Sequence, residues 1–397
     1  MQKFRVAAFN VENLFARPRL FAAVDDPGAA EALRAAAVLQ RLLNAKSYKP
    51  DEIIKIFNDG KLDNYLSVQS ERISGPDVRS QRFFFYEREG DETSPVVSLN
   101  SAIRGRGDWV GGIQLKGETL SGTQVQALGK VIRKVDADVI GLCEVEDRRT
   151  LEAFNAQYLG RKYPNAVLFE GNDERGIDVG LLSKHPIGAL HTNVFTVDPA
   201  EKKRRDGASP RLFNRDCIEV MVDLPGGRGP LAVLVTHLKS KRGTDEMEME
   251  TDRKRLRQST EIARIVKERY SKDGKPHRVI VCGDFNESSN RDGANGAALG
   301  PYKTSIDPIL VEAGLSNIVG DTLGPAKAFT HAEERRGKLR RSQIDYILIS
   351  PDLRAAATSC GIDRSGQAFW GPKAITRAEA ASDHACLFVD FDLEKLV

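Results

Sequence analysis

The chain has 397 residues, 41% hydrophobic and 29% charged, an ordinary globular composition. Its 59 basic and 56 acidic residues leave a net charge of +3, so the overall balance singles out no polyanionic partner; that case rests on local clusters. No apolar run approaches the roughly 18 residues of a membrane span, and Met1–Phe15 has no apolar stretch followed by a small-residue cleavage site.

A first strand is predicted over Phe4–Phe9. Residues 16–120 read differently from the rest, with helices over Glu31–Asn44 and Asp51–Phe57, an aromatic strand over Arg82–Tyr86 and a Gly-rich loop over Arg104–Gly112. Ser121–Val135 reads as a helix, its apolar residues Val125, Leu128, Val131, Ile132 and Val135 falling near helical spacing. Short Val/Ile/Leu-rich strands follow over Val139–Cys143, Val179–Leu182, Cys217–Leu224 and Leu231–His237, the last two joined as a hairpin by the turn Pro225–Pro230. A helix over Thr251–Tyr270, with Leu256, Ile262, Ala263 and Val266, precedes strands over Val279–Cys282, Ile344–Ile349 and Cys386–Phe391. Strands and helices in this irregular order predict an α/β sandwich, two packed sheets with helices outside. The five cysteines are odd in number and form no CxxC pair, and most sit in apolar runs. They read as buried free thiols in a reducing compartment, the cytoplasm.

Acids, amides and histidines gather at the strand ends. Asn10 and Glu12 follow the first strand, Glu144 follows Val139–Cys143, Asp284 and Asn286 follow Val279–Cys282, and Asp383-His384 precedes the last strand. Strand alternation puts Asp284 and Asn286 on one side and turns Phe285 toward the core. If those ends converge, carboxylates with amide oxygens suit a hard divalent cation, most simply Mg²⁺. No Cys/His set has zinc spacing. Taken singly, each piece has a plainer reading: a turn at Gly283-Asp284, a cap at Ser382–His384, a solvated acidic loop at Glu144–Asp147, and a satisfied strand histidine at His237.

The ordered segments FNVENLF, DVIGLCEVED, RGIDVGLLS, VLVTHLKS, VCGDFNES, SQIDYILIS and SDHACLFV together resemble the endonuclease/exonuclease/phosphatase superfamily, over residues 1–15 and about 120–397. The resemblance implies a four-layered α/β sandwich that cleaves phosphate esters with a divalent metal, Mg²⁺ or alternatively Mn²⁺. It implies metal roles for Glu144, Glu12 and Asp383, and phosphate contacts from Asn10, Asn286 and His237. Asp284 would orient the attacking water and His384 would be the catalytic histidine held by Asp345; how the base role divides between Asp284 and His384 stays open. His237, with Asp178 as its acid, matches the branch with an HLKS-type motif. Two pairs, Asp345–His384 and Asp178–His237, are therefore expected to flank the scissile phosphate. Cys143 stands where the family often has Gln. The 134 positions between Asn10 and Glu144 far exceed the family's usual spacing. One catalytic domain over 1–397 is expected, with 16–120 mostly an insertion, either a lid or substrate wall or a packing ornament.

Basic clusters lie near the motifs at Lys202–Arg205, Lys239–Arg242, Arg253–Arg255 and Arg335–Arg341. Arg253–Arg255 reads as a solvated helix face, while Lys239–Arg242 and Arg335–Arg341 read as polyanion contacts. Arg104, Arg106 and Trp109 either grip a backbone and stack a base, or Trp109 packs into a core. The expected function is a Mg²⁺-dependent nuclease acting on DNA or RNA. The alternative is a lipid or small-molecule phosphoesterase, inositol phosphatase-like or sphingomyelinase-like. A binding module that kept the fold is a third class, and the intact acid, amide and histidine set argues against it.

Overall fold

A computed structural model describes residues 2–16, 27–59, 62, 66–72, 81–82, 85–88, 95–115, 123–173, 175–201, 210–241, 245–288, 299, 301–335, 338–369 and 379–396. The cluster Lys202–Arg205 lies outside the described residues. The chain divides into two compact units, Met1–Leu14 with Leu120–Val397, and Phe15–Thr119.

The first unit is built from the strands β1 (Lys3–Leu14), β2 (Val139–Val145), β3 (Asn165–Leu168), β4 (Asp178–Ser183), β5 (Ile187–His191), β6 (Cys217–Asp223), β7 (Pro230–His237), β8 (Val279–Asp284), β9 (Ser316–Asn317), β10 (His331–Arg335), β11 (Lys338–Ser342), β12 (Asp345–Ile349), β13 (Ala357–Asp363) and β14 (Cys386–Asp392). Its long helices are α1 (Thr123–Val135), α2 (Arg148–Tyr158) and α3 (Asp245–Arg269). Six strands form one sheet in the order β13-β14-β1-β2-β4-β3, and six form a second in the order β5-β6-β7-β8-β12-β9.

One apolar layer joins the sheets, with Val6, Ala8, Val139, Val179 and Val389 from the first and Val220, Val233, Val235, Ile280 and Ile347 from the second. The opposite face of the first sheet carries Phe9, Ile140 and Leu142, packed with Leu128, Ile132 and Val135 of α1 and Phe154 of α2. That of the second carries Leu234, Val281 and Leu348, packed with Ile262, Ile265 and Val266 of α3. The unit is a four-layered α/β sandwich, helix, sheet, sheet, helix. Its central strands are covered on both faces, which is why they read as continuous apolar runs instead of alternating ones.

The predicted central strands are all present, most of them longer by a residue or more. β13 and β5 escape the sequence pattern because they lie at sheet edges, β13 only partly buried and β5 largely exposed, so no apolar run marks them. The hairpin of β6 and β7 pairs antiparallel from Cys217 opposite Thr236 to Asp223 opposite Pro230. All five cysteines are free thiols, four of them buried. No described helix is long and apolar enough to cross a membrane.

The second unit has its own small core. Helices Pro27–Leu43 and Pro50–Asp59 pack Leu39, Leu43, Ile53 and Phe57 with Phe85, Val96 and Trp109. The predicted loop Arg104–Gly112 is instead a short helical turn, Arg106–Asp108, running into a strand, Trp109–Leu115, paired antiparallel with Leu66–Arg72. Of the aromatic strand placed over Arg82–Tyr86, Arg82 closes a short strand, Gln81–Arg82, and Tyr86 opens another, Tyr86–Arg88, while residues 83–84 lie outside the described residues. Trp109 is buried, its ring centroid 4.7 Å from that of Phe85, and its Nε1 donates to the Tyr48 hydroxyl at 2.8 Å. That resolves its two readings: the indole is a core residue, and Arg106 covers it at 4.5 Å.

Gly283 is where β8 requires glycine. Its φ is +129°, and a Cβ there would lie 2.0 Å from the Thr236 carbonyl oxygen on β7. Gly283→Ala is expected to lower unfolding free energy by about 2–4 kcal/mol through overpacking and strain. Gly107→Ala, where an added Cβ meets nothing within 4 Å, is the control. Urea denaturation of the two variants checks this, and equal midpoints would contradict it.

Candidate active site

Sheet register assembles the site. β7 runs parallel to β8 with His237 opposite Asp284, and β8 runs antiparallel to β12 with Asp284 opposite Asp345. His237, Asp284 and Asp345 therefore stand side by side at one edge of the second sheet. In the first sheet Asn10 of β1 pairs with Cys143 of β2, which brings Glu144 to the same end. β14 begins just after Asp383-His384, and Ser382 fastens this segment to β1 by donating its hydroxyl to the Asn10 carbonyl at 2.8 Å.

The Oδ2 atom of Asp284 is the meeting point. It accepts from Asn10 Nδ2 at 3.0 Å and lies 3.4 Å from His237 Nε2 and 3.9 Å from His384 Nε2. Its partner oxygen, Oδ1, accepts the Asn286 backbone N–H at 2.8 Å. Asn10 Nδ2 also reaches Glu144 Oε1 at 3.3 Å, so one amide bridges two acids. Asn286 does not continue the strand: its φ is +51°, and its side-chain amide donates to the Leu238 carbonyl at 3.1 Å. Phe285 is fully buried and packs edge-on against Tyr346 at 5.2 Å. Glu12 and Glu144 also have left-handed backbone, with φ of +49° and +66°. Residues held in this region cost about 1–3 kcal/mol each and gather at functional sites.

His384 is held by Asp345, whose Oδ2 lies 2.8 Å from Nδ1. The same oxygen accepts the Thr330 hydroxyl at 2.6 Å. Burial opposes charge on His384, but Asp345, then Asp383 and Asp284, outweigh it and raise its pKa well above the usual value. His237 goes the other way. Burial, then the nearby charges of Arg215, His384 and Arg175, push it well below the usual range. Asp284 is raised by burial and by Asp345, with Glu144 adding to the effect.

The expected Asp178–His237 hydrogen bond is not made. Asp178 Oδ1 accepts the Gly171 N–H at 2.7 Å, while Asp178 Oδ2 and His237 Nδ1 are both buried with no partner. The two residues belong to different sheets, and the turn before β4 claims the carboxylate. Burial raises the Asp178 pKa to about 7. Nor do Glu12, Glu144 and Asp383 form a compact metal-binding trio: among the described residues, the groups of three with donor atoms within 4.8 Å of one another are Asp284, Asp345, His384 and His331, Asp383, His384. Glu12 is instead tied down locally, its Oε2 accepting the Asp383 N–H at 2.8 Å and its own N–H bonded to Asn10 Oδ1 at 3.0 Å.

Several residues come into the site that the motifs did not assign. Arg175 and Arg215 each lie 3.1 Å from Asp173, which burial disfavours but the two arginines hold at about 2. Arg215 is fully buried and its charge acts on Asp284 and Glu144. Arg175 heads the segment RGIDVGLLS, and a cation beside the acid motif was the available signal. His331 lies 3.6 Å from Asp383 Oδ2. Behind the Asp284 turn, Glu287 is fully buried and receives Lys241 Nζ at 2.9 Å and Ser305 Oγ at 3.0 Å. Arg255 joins it at 3.7 Å and also pairs with Asp252. This corrects the reading of Arg253–Arg255 as a solvated face: Arg253 is half exposed, but Arg255 points inward and is fully buried. Of the cluster Lys239–Arg242, Lys241 is committed to Glu287, and Arg242 lies outside the described residues.

Fold and site together define a hydrolase acting on phosphate esters, an α/β sandwich in which the Asn10 amide and two histidines converge on one carboxylate oxygen. Residues 116–384, more than half of the chain, match the model of the Endonuclease/Exonuclease/phosphatase family, and the chain belongs to that family. No curated protein matches it by sequence. Solved structures similar to it include TDP2 from D. rerio, complexed with a single-strand DNA product, at 17% identity and TM-score 0.45, covering 69% of this chain and 94% of that one. An AP endonuclease from Archaeoglobus fulgidus is similar at 15% identity and TM-score 0.45, covering 68% and 95%. Beta toxin from Staphylococcus aureus is similar at 14% identity and TM-score 0.43, covering 67% and 90%.

The hydrogen bond and charge of Asp345 hold the proton on His384. In the metal-free protein, Asp345→Asn is expected to bring the His384 titration down toward or below its ordinary value near 6.5. Ring ¹⁵N NMR titration measures it. An unchanged His384 titration would contradict the assignment.

Proposed function

We propose that this chain is a divalent-metal-dependent phosphodiesterase, and that its substrate is the backbone of DNA or RNA. The observation that carries the hydrolytic reading is the convergence of Asn10, His237 and His384 on Asp284 Oδ2. In this reading Asp284 orients the attacking water and takes its proton as the new oxygen–phosphorus bond forms and the ester bond breaks. Neutral His237 and the remaining N–H of the Asn286 amide hold phosphate oxygens, while Asn10 fixes the Asp284 and Glu144 carboxylates. His384, as the imidazolium paired with Asp345, stabilises developing charge and returns a proton to the leaving oxygen.

The acids present suit a hard cation. Asp284, Asp345 and Glu144 crowd buried negative charge that raises Asp284, and a bound cation relieves it. We assign Glu144 as principal ligand, with Glu12 and Asp383 nearby, for Mg²⁺ or alternatively Mn²⁺. When bound, the ion neutralises charge on the phosphate.

For nucleic acid as substrate, the support is the hairpin β10–β11. It begins beside the site at His331 and carries Arg340 and Arg341, both exposed. Arg340, Arg341 and Arg175, the last beside Asp173, are the cations that would contact phosphates. We read residues 15–119 as an insertion into the catalytic unit, and the unpaired cysteines as the mark of a reducing cytoplasm.

Purified protein with Mg²⁺ should cleave plasmid, single-stranded DNA or RNA, and EDTA should abolish cleavage. Asp284→Asn should lower kcat roughly 10²–10⁴-fold. The Arg340→Ala, Arg341→Ala double variant should raise KM with little change in kcat, and should flatten the dependence of affinity on salt by about one to two units of slope. Turnover only of phospholipids or inositol phosphates would replace the nuclease reading, and inertness toward every phosphate ester would remove it.

A further inference from the structure

The hydrolytic reading has no role for His331. Its backbone forms an isolated antiparallel bridge with His384, flanked by Ala385 N donating to Thr330 O at 2.7 Å and Ala332 N donating to Asp383 O at 3.2 Å. Directly opposed residues on neighbouring strands put their side chains together, and the two imidazole centroids are 4.8 Å apart. Asp383 stands between them, with Oδ2 3.6 Å from His331 Nε2 and Oδ1 3.7 Å from His384 Nε2. One donor atom from each residue lies within 4.8 Å of the others.

The chemistry of this set differs from that of Glu144 and Glu12. Two imidazole nitrogens and one carboxylate oxygen are poor company for Mg²⁺, which takes oxygen ligands and dehydrates reluctantly. They suit Zn²⁺ and its neighbours in the first transition row. His384 is also held for that role, since Asp345 accepts its Nδ1–H and leaves Nε2 for the ion, which displaces the Nε2 proton to solvent as the metal–nitrogen bond forms, the arrangement that outer carboxylates give to metal-binding histidines. The other triad within reach, Asp284, Asp345 and His384, is buried throughout and already closed by the Asp345–His384 hydrogen bond. His331 and Asp383 are each partly exposed, which leaves a path for an ion to enter.

We propose that His331, Asp383 and His384 form a binding site for a nitrogen-preferring divalent cation of the Zn²⁺ class, and that filling it silences hydrolysis by occupying His384 Nε2. The first half stands on the donor set alone. The second half rests on the reading of His384 as a catalytic group.

The test uses the full chain in excess Mg²⁺. Zn²⁺ titrated by calorimetry should bind at one site per chain, and His331→Gln should weaken that binding at least about tenfold. Co²⁺ should give visible ligand-field bands that His331→Gln diminishes. Zn²⁺ should inhibit Mg²⁺-supported hydrolysis with the same midpoint as binding, and His331→Gln should move that midpoint upward by the same factor. Zn²⁺ affinity unchanged in His331→Gln overturns the site. Should that variant fail to fold, the wild-type ring ¹⁵N signals decide: Zn²⁺ must shift Nε2 of both His331 and His384, and unmoved signals overturn it. Zn²⁺ binding without any phosphoesterase activity would leave the site standing and remove the hydrolytic reading, whereas hydrolysis insensitive to bound Zn²⁺ would remove only the silencing.

Discussion

The apolar layer between the two sheets is the constraint on which the rest depends. Strands buried on both faces hold a charged side chain along their length only where it is paired, as Asp390 of β14 is with Arg5 and Glu219 of β6 with Arg269, because an unpaired buried charge costs several kcal/mol. Polar groups left without a fixed partner gather where a strand leaves the layer. β1, β2, β7 and β8 leave it at the same edge, and β12 and β14 enter it there. The layer that stabilises the fold therefore also gathers the chemistry. Register does the fine placement: His237, Asp284 and Asp345 form one lateral row, and a slip of one residue would turn Asp284 to the other face of the sheet.

That edge is held at some cost. Glu12, Asn13, Glu144 and Asn286 all have positive φ, and strain of about 1–3 kcal/mol apiece is large beside a typical net stability of 5–15 kcal/mol. The surrounding structure must over-determine these turns. For Asn286 the means are visible. Its amide is tied to Leu238 behind β7, and the next residue, Glu287, is anchored by Lys241, Ser305 and Arg255. Arg255 also donates to the Lys239 carbonyl at 2.9 Å, so one buried network clamps the loop after His237 to the turn after Asp284. A buried pair of this kind stabilises little against an apolar replacement, yet removal of one partner strands a charge. Its evident effect here is to fix two loops relative to each other.

Much of this was legible in the sequence, for a physical reason. Double burial writes continuous apolar runs, so the central strands were easy to find, and the acid or histidine that ends each run marks where the chain emerges. Edge strands such as β5 and β13 have no such signature. Trp109 was ambiguous because a Gly-rich, Arg-flanked context precedes both a stacking platform and a core indole. Only the partners Phe85 and Tyr48, far away in sequence, decide between them. The Asp178–His237 pairing failed for a related reason: motif order can say that two residues approach one site, but the turn at Gly171 decides which atom the carboxylate serves. Arg255 was misread because a charged residue on an amphipathic helix is normally solvated, and its buried partner Glu287 lies on another element.

The electrostatics of the two histidines follow from the same architecture. Both are buried at one carboxylate, Asp284, yet their charge states are driven apart. His384 faces three acids and receives a hydrogen-bond acceptor at Nδ1, so it keeps its proton. His237 lies near Arg215, Arg175 and His384 itself, with no acceptor at Nδ1, and burial leaves it neutral. Two chemically identical side chains thereby acquire different capacities, one to carry positive charge against an anionic ester and one to hydrogen-bond without charge. The asymmetry is set by which sheet edge each ring faces: acids surround the start of β14, while the arginines Arg175 and Arg215 stand near the end of β7. The division of labour thus originates in neighbours supplied by topology, not in the histidines themselves.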